Sequence, residues 1–457
     1  MSVAGIVLLT RHGDRQGFYQ SPTTYTAKST NLTVLGYQQE YKNGQDLRTA
    51  YFAGDNAIQG MSTEAAQGNQ LRVMADAGGE GTVIVDSTNA LLQGLYPPYN
   101  DSLLLANGTT VSWDRAQLVE VETIESDQSV WLEGWTNCDA FQTRLNNWYN
   151  SSEFKAQAKI ANPFFSTLTN IVGTNRPLTL ENAWNLFDFL NVESIHNSTL
   201  APLISASTLA QARYWADYHE SGSFTDSDLS NVGNIAGQAI LPPLLSGIND
   251  IANTTNPIKY VHLSASYKPF LALAKLLALP DPLSTSVVDY AASAIFEVRT
   301  DNTVRFLFRN SSTEDSWTSY PMLGRQASSA NSVSISDFES ALQPYNLPTL
   351  ADWCDKCSTT DARGCSALAQ LNGTGGAGYA SITSTTGRHH VSPVVGGVIG
   401  AMVTLALVAV GFAIFLAVGP LRNKRRNGRS SGGSDHGSSV DTRTNGHHHL
   451  EEKTSAH

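Results

Sequence analysis

The stretch at residues 4–9 is apolar throughout, and charged residues follow it at once. A continuous apolar run of this length is typical of a strand covered on both faces, as in parallel sheets. Up to about residue 100, apolar runs alternate with stretches of helical spacing, which predicts an α/β layer. A strand over residues 258–263 and a helix over residues 269–279 continue this pattern.

A hairpin is expected over residues 294–309, with its turn at Asp301 and Asn302. Residues from about 105 to 235 are instead predicted to be mostly helical, with aromatic-rich amphipathic segments such as residues 180–190 and 209–220. We interpret this part as a cap inserted into one domain that spans residues 1–350. The pair His219 and Glu220 in the cap is interpreted as solvent-facing.

The C-terminal part has a different composition. Residues 394–418 contain no charged side chain, and basic residues follow from Arg422 to Arg429. This pattern predicts a single transmembrane helix within residues 392–420, a disordered cytosolic tail over residues 421–457, and an N-terminal domain outside the cytosol. A Cys-containing segment and a Gly/Ser/Thr-rich stalk, residues 351–391, are expected to join domain and helix.

Glycosylation sequons agree with this type I topology, because all of them precede the apolar segment. They begin at Asn31, Asn100, Asn107, Asn150, Asn197, Asn253, Asn310 and Asn372. A signal peptide would be required, yet the first strand is predicted from about residue 4. We interpret the N-terminus as incomplete, in preference to insertion driven by the C-terminal segment.

Four cysteines, Cys138, Cys354, Cys357 and Cys365, would be oxidised in such a domain. Four cysteines allow three pairings, and the sequence leaves the choice open. Without a nearby histidine, the spacing of the last three is a weak signal for zinc, so no metal is expected.

The formal net charge of −11 makes the chain a poor nucleic-acid binder. An anionic ligand would therefore need a local basic pocket. Residues 11–15 offer one, since Arg11, His12 and Arg15 directly follow the first strand. Ligand sites of α/β sheets lie just beyond the carboxyl ends of strands. Arginine forks match phosphate oxygens, Gly13 allows close approach, and an imidazole between them can attack phosphorus.

The run Arg11-His12-Gly13-Asp14-Arg15 resembles the signature of the histidine acid phosphatases, the branch of the histidine phosphatase superfamily that includes phytases. Similar stretches follow at residues 32–52, 91–98, 234–245, 260–270 and 290–299. The resemblance covers about residues 4–350 and implies a phosphoglycerate-mutase-like α/β sandwich with a helical cap, here of a membrane-anchored fungal type. It also implies hydrolysis of small phosphomonoesters without a cofactor.

Carried over residue by residue, the resemblance makes His12 the nucleophile, and Arg11, Arg15 and His262 the groups that hold the phosphate. The family's second motif is His-Asp, in which the aspartate protonates the leaving alcohol. Here Leu263 follows His262 and cannot donate a proton. The family's third phosphate-binding arginine also has no clear counterpart, because Arg72 is the only arginine before residue 91 in that region and lies early.

Ser264, Ser266 and Lys268 are candidates to present hydroxyls or a cation to the ligand. The main hypothesis is a phosphomonoester hydrolase, weakened if nothing replaces the missing acid. The alternative is an anion-binding ectodomain with little turnover, and a third is a phosphate-transferring mutase. The sequence leaves the substrate and the oligomeric state open.

Overall fold

The computed structural model describes residues 2–21, 23–78, 82–124, 129–328 and 331–368. The strands are β1 (Val3–Arg11), β2 (Leu71–Asp76), β3 (Tyr99–Leu104), β4 (Thr110–Arg115), β5 (Glu122–Ile124), β6 (Tyr260–Ala265), β7 (Ser293–Arg299), β8 (Thr303–Arg309), β9 (Thr318–Tyr320) and β10 (Ser332–Ser334). The helices are α1 (Val34–Tyr51), α2 (Val83–Leu95), α3 (Asp139–Asn150), α4 (Ser152–Thr167), α5 (Thr169–Val172), α6 (Ala183–His196), α7 (Ala206–Phe224), α8 (Ile235–Ala252), α9 (Lys268–Leu276), α10 (Ile335–Leu342) and α11 (Leu350–Cys357).

A mixed central sheet organises the described domain. Its strand order is β10-β8-β7-β1-β6-β2-β5, with β9 added on β8. Strands β1, β6, β2 and β5 are parallel, whereas β7 and β8 run antiparallel to their neighbours. The carboxyl ends of β1 and β6 therefore meet the first residues of β7 at one edge of the sheet.

Both faces of β1 are covered, as its continuous apolar pattern predicts. Val7 and Leu9 face a hydrophobic cluster that includes residues of α8 and α9. Ile6 and Leu8 face the opposite cluster, which includes residues of α1 and α2. Each such fully buried side chain stabilises the fold by about 2 kcal/mol, so β1 is an anchor for both layers.

The prediction of the α/β core is confirmed, including β1, the β6–α9 unit and the β7–β8 hairpin. The turn of that hairpin contains Asn302 with a positive φ of 60°. The cap prediction needs refinement, because β4 and β5 fall within residues 105–235 and β5 joins the central sheet. The helical part begins at Asp139 and continues to Phe224, with α8 returning to the core.

The interpretation of His219 and Glu220 as solvent-facing is wrong, since both are buried. Glu220 accepts a hydrogen bond from the hydroxyl of Tyr267 at 2.7 Å and contacts His219 Nδ1 at 2.6 Å. His219 Nε2 in turn lies 2.8 Å from the hydroxyl of Tyr149. The partners that enclose this pair, Tyr149 and Tyr267, lie far from it in sequence, so the local pattern of the helix does not show that the pair is buried.

Two disulfides involve the C-terminal end of the described region. One links it to the start of the cap helices, and the other lies within it. Cys138 pairs with Cys357, and Cys354 pairs with Cys365. This resolves the pairing that the sequence left open, and no cysteine of the chain remains for a metal.

The predicted membrane segment, residues 392–420, the tail and most of the stalk lie outside the described residues. Within the described part, no helix is both long and apolar enough to cross a bilayer.

The two disulfides are expected to stabilise the fold by different amounts, because they close loops of different length. The Cys138–Cys357 bond closes a separation of 219 residues and Cys354–Cys365 closes 11. Chain entropy predicts a loss of about 5 kcal/mol in the free energy of unfolding for Cys138→Ser with Cys357→Ser, against about 3 kcal/mol for Cys354→Ser with Cys365→Ser. Denaturant unfolding of both variants checks this, and an equal or reversed order contradicts it.

Candidate active site

The motif at residues 11–15 lies at the carboxyl edge of the sheet, and backbone hydrogen bonds hold it there. The amide of Arg11 donates to the carbonyl of Ala292 at 2.9 Å, and the amide of Ala291 donates to the carbonyl of His12 at 3.0 Å. The amide of Gly13 donates to the hydroxyl of Ser87 on α2 at 3.1 Å. The chain leaving β1 is therefore fixed by the residues that enter β7 and by a helix on one face.

Gly13 is required by a close backbone approach. A Cβ at this position would lie 2.5 Å from the carbonyl oxygen of Gly36, on the first turn of α1. The helix itself begins at Val34, well after the motif, and its cap Thr33 hydrogen-bonds to Asp14 at 2.5 Å. The first turn of α1 thus packs directly under the motif.

Hydrogen bonding sets the tautomer of His12. Its Nδ1 lies 2.8 Å from the carbonyl oxygen of Gly13. A carbonyl oxygen only accepts, so Nδ1 carries the proton and Nε2 carries the lone pair of the neutral ring. This is the form that a nucleophilic imidazole needs.

Arg11 is buried beneath aromatic rings. Its guanidinium carbon lies 4.5 Å from the ring centre of Tyr290, 5.2 Å from Tyr267 and 5.8 Å from Trp184. Nη1 donates to the carbonyl of Val288, while Nε has no hydrogen-bond partner among the described residues. Burial lowers the pKa of Arg11 below its ordinary value, and the nearby charge of Arg15 lowers it further.

Two polar side-chain contacts join the motif to α6 of the cap. Arg15 Nη1 lies 3.2 Å from each carboxylate oxygen of Asp188. Asp14, fully buried, lies 2.6 Å from Nε2 of His196. The cap helix therefore fixes both charged side chains that flank Gly13 on its C-terminal side.

His262 does not reach this edge of the sheet, so its assignment as a phosphate-binding group needs correction. It pairs with Leu8 in the interior of the sheet, four residues before Ser266. Its side chain is fully buried, with Nε2 2.8 Å from the hydroxyl of Thr10. Burial lowers its pKa to about 3, so the ring stays neutral down to strongly acidic pH. This neutral imidazole lies inside the sheet, and its Nδ1 has no hydrogen-bond partner among the described residues.

Ser266 takes the place at the strand edge beside the motif. Arg11 and Ala265 are the last pair of this register, so His12 and Ser266 are the residues that follow on the two neighbouring strands. Leu263 lies inside the sheet, where it pairs with Leu9, so it does not occupy the position of the missing acid. The residue that follows Ser266 at the strand edge is Tyr267. Of the other candidates, Ser264 accepts a hydrogen bond from Thr10 within the sheet. Lys268 instead packs over the ring of Trp135 at 4.8 Å.

Three buried groups that can donate have no hydrogen-bond partner among the described residues around the motif: Arg11 Nε, Ser266 Oγ and Tyr290 Oη. The acceptor Oδ2 of Asp14, within the motif, also has none. The ring of Tyr290 lies 5.6 Å from that of His12, and its hydroxyl feels the charges of Arg15, Asp188, Arg11 and Asp14. Unsatisfied buried donors are costly unless a ligand accepts from them. Donors of this kind beside the Arg11–Arg15 pair form an arrangement that an anion would satisfy.

A cleft on the cap side reaches Arg11 and Tyr290, whereas His12, Arg15 and Ser266 are buried and do not line it. It is lined by polar and charged residues together with aromatic ones: Arg11, Gln39, Trp184, Phe187, Asp188, Asn191, Ile195, Arg213, Asp289, Tyr290, Ser311 and Thr313. Arg213, from α7, brings a further arginine that the sequence analysis missed, and it pairs with Asp289 at 2.8 Å. Arg72, by contrast, pairs with Asp250 at 2.7 Å and lies outside this cleft.

The missed residues Asp289 and Tyr290 did carry a signal. They directly precede β7, and the start of a strand antiparallel to β1 lies at the carboxyl end of β1. Arg213 and Asp188 gave no such signal, because the cap positions them only through tertiary packing. Among the described residues, no group of three or more His, Cys, Asp or Glu is arranged to hold a metal ion.

A second polar cluster, formed by residues of α1 and β8, contacts the backbone that leads into β7. Asn43 of α1 donates to the carbonyl of Ala291 at 3.0 Å and to the carboxyl of Glu40 at 3.1 Å. Arg309 of β8 donates to the side-chain oxygen of Asn43 and to Asp46. Burial raises the pKa of Glu40 to about 8. The carboxyl group is therefore protonated in the folded protein at neutral pH.

An α/β sheet with a histidine between two arginines at its carboxyl edge, under a helical cap, defines a phosphoryl-transfer type of site. A family model described as "Histidine phosphatase superfamily (branch 2)" matches residues 16–312, which begin just after the motif. The chain belongs to this family.

Human lysosomal acid phosphatase is 24% identical over 327 residues, which cover 69% of this chain and 73% of that protein. Human prostatic acid phosphatase is 22% identical over 366 residues, covering 78% and 88%. Phytases from Citrobacter braakii and Klebsiella sp. share the fold, with TM-scores of 0.53 and 0.54 at 14% and 13% identity. They cover 76% and 77% of this chain, and the matches span 99% and 98% of the phytase chains.

Replacing Glu40 is expected to change how stability depends on pH. In the unfolded chain the carboxyl ionises near its ordinary pKa of 4.5, whereas the folded protein keeps it protonated to about pH 8. The unfolded state thus binds fewer protons in between, and stability falls as pH rises through this window. From pH 5 to pH 8, wild type should lose about 3 kcal/mol more than Glu40→Gln. Urea unfolding at both pH values measures it, with the exposed Glu122→Gln as control, and parallel pH profiles for wild type and Glu40→Gln contradict the assignment.

The anion site predicts a role for the Tyr290 hydroxyl. Tyr290→Phe removes one donor and keeps the ring, so the Kd for inorganic phosphate or orthovanadate should rise about tenfold. Titration calorimetry measures the change, and the exposed Tyr214→Phe serves as the matched control. An unchanged Kd in Tyr290→Phe would show that its hydroxyl does not contact the anion.

Proposed function

We propose that this chain hydrolyses phosphomonoesters through a phosphohistidine formed on His12. The observation that carries the proposal is the His12 tautomer: Nδ1 donates to the carbonyl of Gly13, which leaves the lone pair on Nε2. Arg11 and Arg15 flank that ring and supply positive charge for the phosphate oxygens. Membership of a family with acid phosphatase relatives supports a small phosphate ester as the substrate.

The mechanism has two steps. Nε2 attacks phosphorus, the bond to the leaving oxygen breaks, and the phosphoryl group resides on His12. Water then attacks phosphorus, the bond from Nε2 to phosphorus breaks with its electron pair returning to Nε2, and inorganic phosphate departs with the protons of the water, which restores the neutral ring. Arg11 and Arg15, with donors such as Ser266 and Tyr290, stabilise the charge on the non-reacting oxygens in both steps.

Binding of an anion with little turnover is the second candidate. The position beside His12 holds Ser266, and Tyr267 after it has its hydroxyl engaged with Glu220. Neither residue supplies a cation or a free carboxylic acid. This favours slow turnover, and in the limit a binding domain.

The proposal also covers where the protein resides in the cell. The uncharged segment at residues 394–418 and the basic residues after it support a single-pass membrane anchor with the phosphatase domain outside the cytosol. The two disulfides support an oxidising compartment.

Rapid mixing of the purified full chain with p-nitrophenyl phosphate tests the chemistry. A burst of nitrophenol and an acid-labile, base-stable phosphoenzyme are expected. His12→Ala should lose both and lower kcat/KM at least about a thousandfold, whereas His448→Ala in the tail should match wild type.

Three results are distinguishable in this experiment. A phosphoenzyme that depends on His12 supports the hydrolase. Phosphate binding without any phosphoenzyme or turnover supports the binding domain instead. Turnover that persists in His12→Ala excludes the phosphohistidine route.

A further inference from the structure

The carboxylates that line the cleft are engaged with arginines. Asp188 accepts from Arg15 at 3.2 Å. Asp289 accepts from Arg213 at 2.8 Å and from the side-chain amide of Asn310 at 2.9 Å. Both carboxylates therefore already accept hydrogen bonds from guanidinium groups. Neither group is therefore placed to give a proton to a departing oxygen.

The hydroxyl groups near the motif are poor acids as well. The hydroxyl of Tyr267 already donates to Glu220. Ser266 and Tyr290 have buried oxygens without partners, suited to donate hydrogen bonds to an anion. Burial raises the pKa of Tyr290 above its ordinary value, so this phenol holds its proton firmly. These two groups can stabilise phosphate oxygens, and they keep their protons while doing so.

His12 cannot supply the proton either. Its Nε2 forms the bond to phosphorus, and its Nδ1 proton is donated to the carbonyl of Gly13 on the other side of the ring. The remaining titratable pair at the motif, Asp14 and His196, is bound to itself, with Nε2 of His196 2.6 Å from Oδ1 of Asp14, and neither residue lines the cleft. Among the described residues that line the cleft, no side chain then presents a free acidic proton.

Without a proton donor, the leaving oxygen departs from phosphorus unprotonated in the first step. As the bond from Nε2 to phosphorus forms, the bond from phosphorus to the leaving oxygen breaks, and its electron pair departs on that oxygen without a proton. Alkoxide ions are poor leaving groups, whereas phenolate and carboxylate ions are stable in water. General acid catalysis contributes about 10²–10⁴-fold, and this is the factor that an alkyl ester would forgo here.

The walls of the cleft fit the same class of ester. Trp184, Phe187 and Tyr290 present aromatic rings, and Ile195 adds an apolar side chain. Arg213 lies over the ring of Phe187 at 5.3 Å. Aromatic rings pair favourably at centroid distances of about 4.5–7 Å, so a planar leaving group in this cleft would meet aromatic and apolar surface.

We propose that the site is selective for phosphate esters whose leaving group departs as a stable anion, with aryl phosphates as the preferred class. This rests on the proposed phosphohistidine chemistry at His12 and adds a restriction to it. Alkyl phosphates bind to the same anion site and react slowly.

A leaving-group series with the full chain tests the proposal. The substrates are p-nitrophenyl phosphate, phenyl phosphate, acetyl phosphate and β-glycerophosphate. Both kcat/KM and the phosphoenzyme burst are measured at one pH. The expected result is a steep fall with leaving-group basicity, so that β-glycerophosphate reacts at least about a thousandfold more slowly than p-nitrophenyl phosphate. Acetyl phosphate, which lacks a ring, should still give a burst.

A second variant separates ring recognition from leaving-group chemistry. Phe187→Ala should raise KM for phenyl phosphate several-fold more than it raises KM for acetyl phosphate, and circular dichroism reports whether this variant at a buried position is folded. Rates for β-glycerophosphate within about tenfold of those for phenyl phosphate would overturn the proposal, because they require an acid at the leaving oxygen. Absence of a His12 phosphoenzyme with every substrate would instead overturn the proposed function.

Discussion

The parallel pairing of β1 with β6 is the constraint on which the site depends. Its register places Ser266 beside His12 and keeps His262 inside the sheet. The same edge receives the start of β7, whose backbone holds both Arg11 and His12. A shift of one residue in this pairing would exchange the two faces of β6 and remove the Ser266 hydroxyl from the motif.

Electrostatics at the motif are tuned by the cap. Arg11 and Arg15 repel each other, and aromatic rings around Arg11 and the carboxylate of Asp188 beside Arg15 offset that cost. The remaining donors beside the two arginines are the hydroxyls of Ser266 and Tyr290. The cap therefore both completes the site and limits its chemistry.

Much of the architecture could be predicted from apolar periodicity, because β1, β6 and the β7–β8 hairpin are determined by local pattern. The motif at residues 11–15 could also be found, since its residue types stand out at a strand end. The role given to His262 was wrong, because register is a property of two strands and the sequence shows one at a time. Contacts of Asp188 and Arg213 depend on how the cap folds over the sheet, which no local pattern encodes.

The central claim is that the edge formed by β1, β6 and β7 is a phosphate site with His12 in line for attack. The most direct test is an experimental structure of the protein with orthovanadate, which adopts the geometry of the transferring phosphoryl group. The account predicts vanadium bound to Nε2 of His12, with its oxygens within hydrogen-bond distance of Arg11, Arg15, Ser266 and Tyr290. Vanadate bound elsewhere, or a His12 ring turned away from it, would contradict the account.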